Sequence, residues 1–240
     1  MSAQHAMKNE EGYKLYPYGP IEALAPGLWR VVGELQVPMK RSMYIYRLPD
    51  GTLLLDSVVA MSEPDLAKLD ALGRPTVMTI PHPKHLMDAG FYKQRYPQLK
   101  VYGEADAQAK LGLSFSGTLE EGMPPLGITP HPIPGMKMAE VALELPLEGG
   151  SRALLFCDLV NRTNEVGPGI IGALMKVFGP SGDGGVAPIL KLTQIDDKYQ
   201  VRSYLKKLST LPSIAILAGC HGGVVTHHCA QWLAEAADKL

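Results

Sequence analysis

The chain has 240 residues, of which 46% are hydrophobic and 20% are charged, so it can build a large core and is not expected to be disordered. A formal net charge of −1 provides no basic surface for nucleic acid or for an anionic membrane, and we expect neither as a partner. Three cysteines at uneven spacing argue against a disulfide framework and favour reduced thiols.

The first part of the chain is predicted to be rich in strands. Residues 1–26 are polar and interrupted by proline and glycine, so we interpret them as an N-terminal arm ahead of one domain over 27–240. The segment from Met1 to Glu10 lacks the apolar stretch of a secretory signal, and no apolar run reaches the length of a membrane span. A cytoplasmic protein is therefore expected. Strands are predicted at 28–32, 42–48 and 52–56, the last two joined by a hairpin turn at Asp50-Gly51.

Strands and helices then alternate. A helix that begins at Ser62 and ends at Gly73 precedes a short buried strand over 76–80. That strand leads into a histidine and a helix from about Lys84 to Tyr96. A strand at 100–102 and a helix at 104–111 follow.

The second half of the chain repeats this order. Strands are predicted at 128–133, 139–145 and 152–158, a helix at 199–208, a strand at 213–218 and a helix at 226–240 with Thr226 as its N-cap. Two strand-rich regions, each followed by helices, indicate an α+β fold with two packed sheets flanked by helices, and not a doubly wound sheet.

Chemistry-bearing side chains stand at the ends of the buried strands. His82 follows the strand at 76–80, Asp158 ends an apolar strand, and His221 follows the strand at 213–218. A carboxylate at the end of a buried strand needs a partner, which a metal ion or a histidine would provide.

This order of elements resembles the metallo-β-lactamase superfamily over about residues 27–240. The segment from Tyr96-Pro97 to Lys100-Val101-Tyr102 is also similar to one branch of that superfamily. The resemblance implies a four-layer αβ/βα sandwich. The hydrolases of the superfamily bind two zinc ions with a His-x-His-x-Asp-His turn, a further histidine after Pro-Gly, a bridging aspartate and a final histidine.

The ligand positions of that pattern are only partly kept. His82, Asp158 and His221 match. The other ligand positions are occupied by residues that suit zinc poorly, namely Lys84, Leu86, Met87 and Met136. The resemblance therefore implies a degenerate metal site without the standard dinuclear zinc hydrolase activity, and an inherited cleft that binds a small ligand or a partner.

A second interpretation keeps a metal-dependent hydrolase. His82, His85 and Asp88 are spaced i, i+3, i+6 and would share one face of a helix that starts near residue 83. They would bind one zinc or iron ion together with two later residues, Asp158 and His221. Asp158 or Asp88 would act as general base on an ester, thioester or lactone. The sequence leaves open whether the protein is an enzyme and whether it binds any metal.

Three further features bear on the charge of the site, on catalysis and on partners. Without a metal, the ammonium of Lys84 could replace the lost positive charge beside Asp158. The pair Cys220-His221 is not expected to act as nucleophile and base, because neighbours on a strand face opposite sides. The apolar segment Ile170 to Phe178 is either core, a lid or the contact of a homodimer.

Overall fold

The computed structural model describes residues 7–8, 13–35, 39–162 and 184–240. In chain order the strands are β1 (Met7–Lys8), β2 (Lys14–Leu15), β3 (Glu22–Ala25), β4 (Leu28–Glu34), β5 (Lys40–Arg47), β6 (Leu53–Asp56), β7 (Pro75–Ile80), β8 (Lys100–Gly103), β9 (Thr129–Pro132), β10 (Val141–Pro146), β11 (Arg152–Leu155) and β12 (Ile214–Ala218). The α-helices within these ranges are α1 (Glu63–Leu72), α2 (Ala89–Arg95), α3 (Ala105–Leu111), α4 (Leu119–Gly122), α5 (Pro188–Thr193), α6 (Lys198–Ser209) and α7 (Cys229–Asp238).

The strands form two large sheets and one small ribbon. The six-stranded sheet has the order β3-β4-β5-β6-β7-β8, and the four-stranded sheet has the order β12-β11-β10-β9. β6 pairs with β7 in parallel, and so does β11 with β12, whereas the hairpin strands β4, β5 and β6 pair antiparallel. β1 and β2 form a separate two-stranded ribbon.

Alternation along the strands creates three apolar layers. In β6, Leu54 faces the other sheet while Leu53 and Leu55 face helices α1–α3. On the other sheet, Leu154 faces α6 and α7, whereas Leu155 packs between the two sheets. Helices therefore cover the outer face of each sheet, and the predicted four-layer αβ/βα sandwich is confirmed.

Most predicted elements are present; the structure adds helices α4 and α5, and two predicted helices begin later than expected. The helix expected from Lys84 begins only at Ala89, because residues 82–88 form consecutive turns and Asp88 adopts a left-handed conformation with φ of 66°. The last helix begins at Cys229 after His228, whose φ is 52°, so Thr226 is not its N-cap.

Two predictions, the N-terminal arm over residues 1–26 and the homodimer contact within 163–183, have different outcomes. The edge strand β3 lies inside the segment interpreted as an arm and pairs with β4 in the six-stranded sheet. The proposed homodimer contact, Ile170 to Phe178, lies outside the described residues. Across the part of the chain that the structure describes, no helix has the length and apolar character needed to cross a membrane.

Candidate functional site

The chain segments that follow four strands meet at one edge of the sandwich. Ser57 follows β6, the turns at 82–88 follow β7, Cys157 and Asp158 follow β11, and Cys220 and His221 follow β12. Each sheet contributes two of these strands, and both pairs are parallel, which brings their carboxyl ends to the same edge. Backbone hydrogen bonds join the sheets there, with the Ser42 amide donating to the Cys220 carbonyl at 2.7 Å.

Three histidines surround the carboxylate of Asp158. Nε2 of His85 lies 2.9 Å and Nε2 of His221 lies 3.1 Å from the same oxygen, Oδ1. Nδ1 of His82 lies 3.5 Å from the other oxygen, Oδ2. One donor atom from each of His85, Asp158 and His221 lies within 4.8 Å of the other two, a spacing that suits a metal ion. The structure thus brings four of the five predicted ligands together.

The protonation of His221 is constrained by its second nitrogen. Nδ1 lies 2.7 Å from the carbonyl oxygen of Lys40, which can only accept a hydrogen bond. A neutral imidazole has one N–H, so Nδ1 uses it and Nε2 presents a lone pair to the Asp158 carboxylate. Two acceptors 3.1 Å apart require a proton or a cation between them. A second-nitrogen bond to a carbonyl is also the usual way that a metal-binding histidine is oriented.

The electrostatics of the cluster favour an ionised Asp158 and a neutral His82. Burial opposes ionisation of Asp158, but the close contacts of its carboxylate with His221 and His85 hold its pKa well below the usual range. Burial lowers the pKa of His82 to about 4. Burial would also lower the pKa of His85, yet Cys220 and Asp158 hold it well above the usual value.

Asp88 belongs to a different buried network, contrary to the expectation that it is a metal ligand and general base. Oδ2 of Asp88 accepts hydrogen bonds from Arg41 and from the amide of Ala60, the latter at 2.8 Å. Oδ1 accepts a bond from the hydroxyl of Tyr13 at 2.9 Å. The expectation assumed a helix from residue 83; the turns at 82–88 instead direct His85 into the site and Asp88 away from it.

Lys84 does not take the place of a metal ion. Its side chain is exposed, and within the described ranges Asp158 pairs with the three histidines and not with Lys84. The backbone amide of Lys84 donates to Nδ1 of His82 at 3.3 Å. The ammonium replacement considered from the sequence is therefore wrong.

Asn161 and Glu140 position the segments that carry Asp158 and His221. The amide nitrogen of Asn161 donates to the Asp158 carbonyl at 2.5 Å, and its oxygen accepts from the His221 amide at 2.8 Å. Glu140 is fully buried and accepts from the backbone amides of Cys157 at 3.2 Å and Leu159 at 2.9 Å. Burial raises the pKa of Glu140 to about 8.

Two thiols lie directly beneath the histidine cluster. Cys157 and Cys220 are both 0% exposed, and their sulfur atoms lie within 4.8 Å of each other and of a nitrogen of His85. Sγ of Cys220 is also 3.1 Å from Oγ of Ser57. The sequence predicted reduced thiols but not this arrangement. The sequence did contain a signal for it. Each cysteine directly precedes a predicted ligand, Asp158 or His221, just after one of two strands that pair in the sheet.

The tight packing at Gly219 gives a prediction about how the site is held. A Cβ at Gly219 would clash with Oδ1 of Asn161 and with the Val160 carbonyl oxygen. We expect Gly219→Ala to lower the free energy of unfolding by about 1–3 kcal/mol, measured by urea denaturation. Gly90→Ala in α2 is the matched control, because a Cβ there meets nothing within 4 Å and should cost no stability. Equal stability of the two variants would contradict this packing.

A cavity of about 340 Å³ opens above the cluster. His85, Asp158 and His221 lie at its polar end. Its remaining wall is mostly apolar and includes Leu35, Met39, Val58, Met87, Ala187, Ile189 and Leu190. Such a cavity suits a small, mainly apolar ligand with one polar group directed at the histidines.

The donor set fits one zinc or iron ion and not two. Two imidazoles and one carboxylate are the ligands of an open, mononuclear site, which keeps a position for water or substrate. A dinuclear centre of the kind that the resemblance implies would need further donors at Lys84, Leu86, Met87 and Met136, whose side chains provide none suited to zinc.

Solved structures whose sequences are only 13–14% identical to this chain share its fold. FIM-1 from Pseudomonas aeruginosa, in its mono-zinc form, matches with a TM-score of 0.59 at 14% identity, covering 94% of this chain and 96% of that chain. The metallo-β-lactamase from Hirschia baltica matches with a TM-score of 0.57 at 14% identity, covering 91% and 98%. DIM-1, exposed to ceftazidime, matches with a TM-score of 0.61 at 13% identity, covering 93% and 98%. No protein-family model and no curated protein matches the sequence. On the structural matches, this chain has the metallo-β-lactamase fold.

Proposed function

We propose that the protein is a hydrolase dependent on one zinc or iron ion, bound by His85, Asp158 and His221, and that it cleaves an ester, thioester or lactone. The observation that carries this proposal is the position of His221. Its Nδ1 bonds to the Lys40 carbonyl while Nε2 faces the Asp158 carboxylate at 3.1 Å, an arrangement that a cation between the two would stabilise.

One ion in place of two is consistent with the fold. The protein FIM-1 has been solved in a mono-zinc form, so a relative in fold exists with a single ion. In this chain, the missing donors at Lys84 and Met136 argue against a dinuclear site. The standard dinuclear activity of the superfamily is therefore not proposed.

The residues around the ion have separate tasks in such a reaction. When bound, the ion would polarise the acyl carbonyl and make water a stronger acid. The lowered pKa of Asp158 supports an ionised carboxylate, whose Oδ2 would accept a proton from water in this proposal. The other oxygens considered for this role belong to Asp88, and they are occupied by Arg41, Tyr13 and Ala60.

The cavity determines which substrate fits. Side chains such as Met39, Val58 and Ile189 would bury an apolar acyl group and exclude water from the reacting carbon. Lys84 lies on the lining with an exposed side chain, where its ammonium would attract the carboxylate that hydrolysis forms.

A second candidate is a metal-free protein that binds a small ligand in the same cavity. The charge of Asp158 is already close to three histidines, and a protonated His85 or His221 would neutralise it without a metal. In that case the apolar wall would carry the binding, and no hydrolysis would follow.

A comparison of wild type with Asp158→Asn separates the two candidates. We expect the zinc- or iron-loaded wild type to hydrolyse a panel of p-nitrophenyl esters, thioesters and lactones with short apolar acyl groups. Asp158→Asn should reduce kcat by about 10²-fold or more, because it removes both a ligand and the base. Glu144→Gln, whose carboxylate pairs with His131 and Arg152, is the control and should keep the activity. A wild type that hydrolyses none of these compounds but still binds them would favour the metal-free candidate.

A further inference from the structure

We infer that the chain contains a second, deeper metal site in which Cys157, Cys220 and His85 bind a thiophilic divalent ion such as zinc. It lies beneath the histidine and aspartate site, and neither cysteine is used in the proposed hydrolysis. Because the two sites share His85 but not the cysteines, cysteine variants distinguish failure of this inference from failure of that function.

The backbone holds the two thiols together. β11 and β12 are parallel neighbours, with Leu155 paired to Ala218, and the segments after them stay in contact. The amide of Cys220 donates to the carbonyl of Cys157 at 3.0 Å. Both sulfur atoms and one nitrogen of His85 lie within 4.8 Å of one another, so small rotations of side chains would bring all three donors onto one ion.

A fourth donor is available from the other sheet. The hydroxyl of Ser57 lies 3.1 Å from Sγ of Cys220. Two thiolates and one imidazole fill three of the four positions of a structural zinc ion, and the Ser57 hydroxyl is an oxygen beside the fourth. The cysteines are 0% exposed and Ser57 is 6% exposed, so such a site would be nearly closed to solvent.

The charge and the softness of the two thiolates favour a divalent, thiophilic ion. Two thiolates and one divalent cation sum to zero, whereas a monovalent copper ion would leave a buried net charge of −1, which is costly. Thiolates also prefer thiophilic metals over magnesium or calcium.

The two sites share His85, which couples them. In the site of His85, Asp158 and His221 (the upper site), Nε2 of His85 lies 2.9 Å from Asp158. The site of Cys157, Cys220 and His85 (the lower site) needs the same ring beside the sulfur atoms. Filling the lower site would therefore draw His85 away from Asp158 and His221. Excess thiophilic metal is thus expected to weaken metal binding at the upper site.

X-ray absorption on the zinc-loaded wild-type protein tests the inference without any substitution. Zinc–sulfur bonds are about 2.3 Å long and zinc–nitrogen or zinc–oxygen bonds about 2.0–2.1 Å, so the two shells are distinguishable. At a second equivalent of zinc we expect two sulfur scatterers on part of the zinc. A spectrum with nitrogen and oxygen scatterers alone, at one and at two equivalents, would overturn the inference.

Cobalt(II) titration then identifies the donors. We expect a sulfur-to-cobalt charge-transfer band that disappears in Cys157→Ser and in Cys220→Ser. Cys229→Ser is the matched control and should keep the band. Cys229 is a buried cysteine at the start of α7, and its thiol donates to the Val225 carbonyl. Asp158→Asn should also keep the band while losing hydrolysis, which separates failure of this inference from failure of the proposed function. A band that survives both cysteine substitutions would contradict the site.

Discussion

Replacing Arg41 with methionine is expected to lower the free energy of unfolding by about 3–5 kcal/mol. Arg41 is 6% exposed and Asp88 is 5% exposed, and they form an ion pair beneath the site. Arg41 also donates to the Val58 carbonyl at 3.0 Å. Methionine fills a similar volume but leaves the Asp88 carboxylate buried without its cation, supported only by the hydroxyl of Tyr13 and the amide of Ala60.

Urea denaturation of three variants measures this effect. Arg41→Met should shift the midpoint strongly, and Arg41→Met combined with Asp88→Asn should recover part of the loss because no buried charge is left unpaired. Lys68→Met removes the exposed partner of Asp65 and should leave the unfolding curve almost unchanged. An Arg41→Met protein as stable as wild type would show that the pair does not form.

Replacing His85 with alanine is expected to have the largest effect on metal binding, because His85 belongs to both groups of candidate ligands. Loss of a residue that merely orients a ligand reduces metal affinity by about 10–100-fold, and loss of a ligand should exceed that range. We expect His85→Ala to bind zinc more than about 100-fold more weakly than wild type in a competition titration with a chromophoric chelator.

The control for this variant is another partly buried histidine. His131 pairs with Glu144 at 2.8 Å and contacts Tyr204, away from the cluster. His131→Ala should bind zinc as the wild type does. If His85→Ala and His131→Ala bind zinc equally well, His85 is not a ligand at either site.

The sequence predicts the sandwich well because its strands carry strong local signals. The alternation in β10 and the buried run before His82 indicate strands whose faces are decided by hydrophobic burial alone. Asp158 and His221 follow such strands, so parallel pairing brings them to one edge whatever the surrounding loops do. Their meeting could therefore be expected from the order of elements.

The rest of the site depends on backbone details that have weak sequence signals. His85 and Asp88 suit a helix face by spacing, but the left-handed conformation of Asp88 and the turns before it send the two side chains to different places. The partner of Asp88 is Arg41, 47 positions earlier and on an inner strand. Such long-range pairs cannot be found by spacing within one segment.

The amount of metal bound by the protein that keeps His221 and by His221→Ala tests directly whether His85, Asp158 and His221 form a metal site. Both proteins also carry Cys157→Ser and Cys220→Ser, so that only the histidine and aspartate site can hold an ion. After incubation with excess zinc or iron(II) and removal of free ions, elemental analysis should find one ion per chain of the protein that keeps His221. His221→Ala, which loses the ligand oriented by Lys40, should retain much less. A protein that keeps His221 and retains no ion, or a His221→Ala variant that retains as much as its counterpart, would contradict a single metal site at His85, Asp158 and His221.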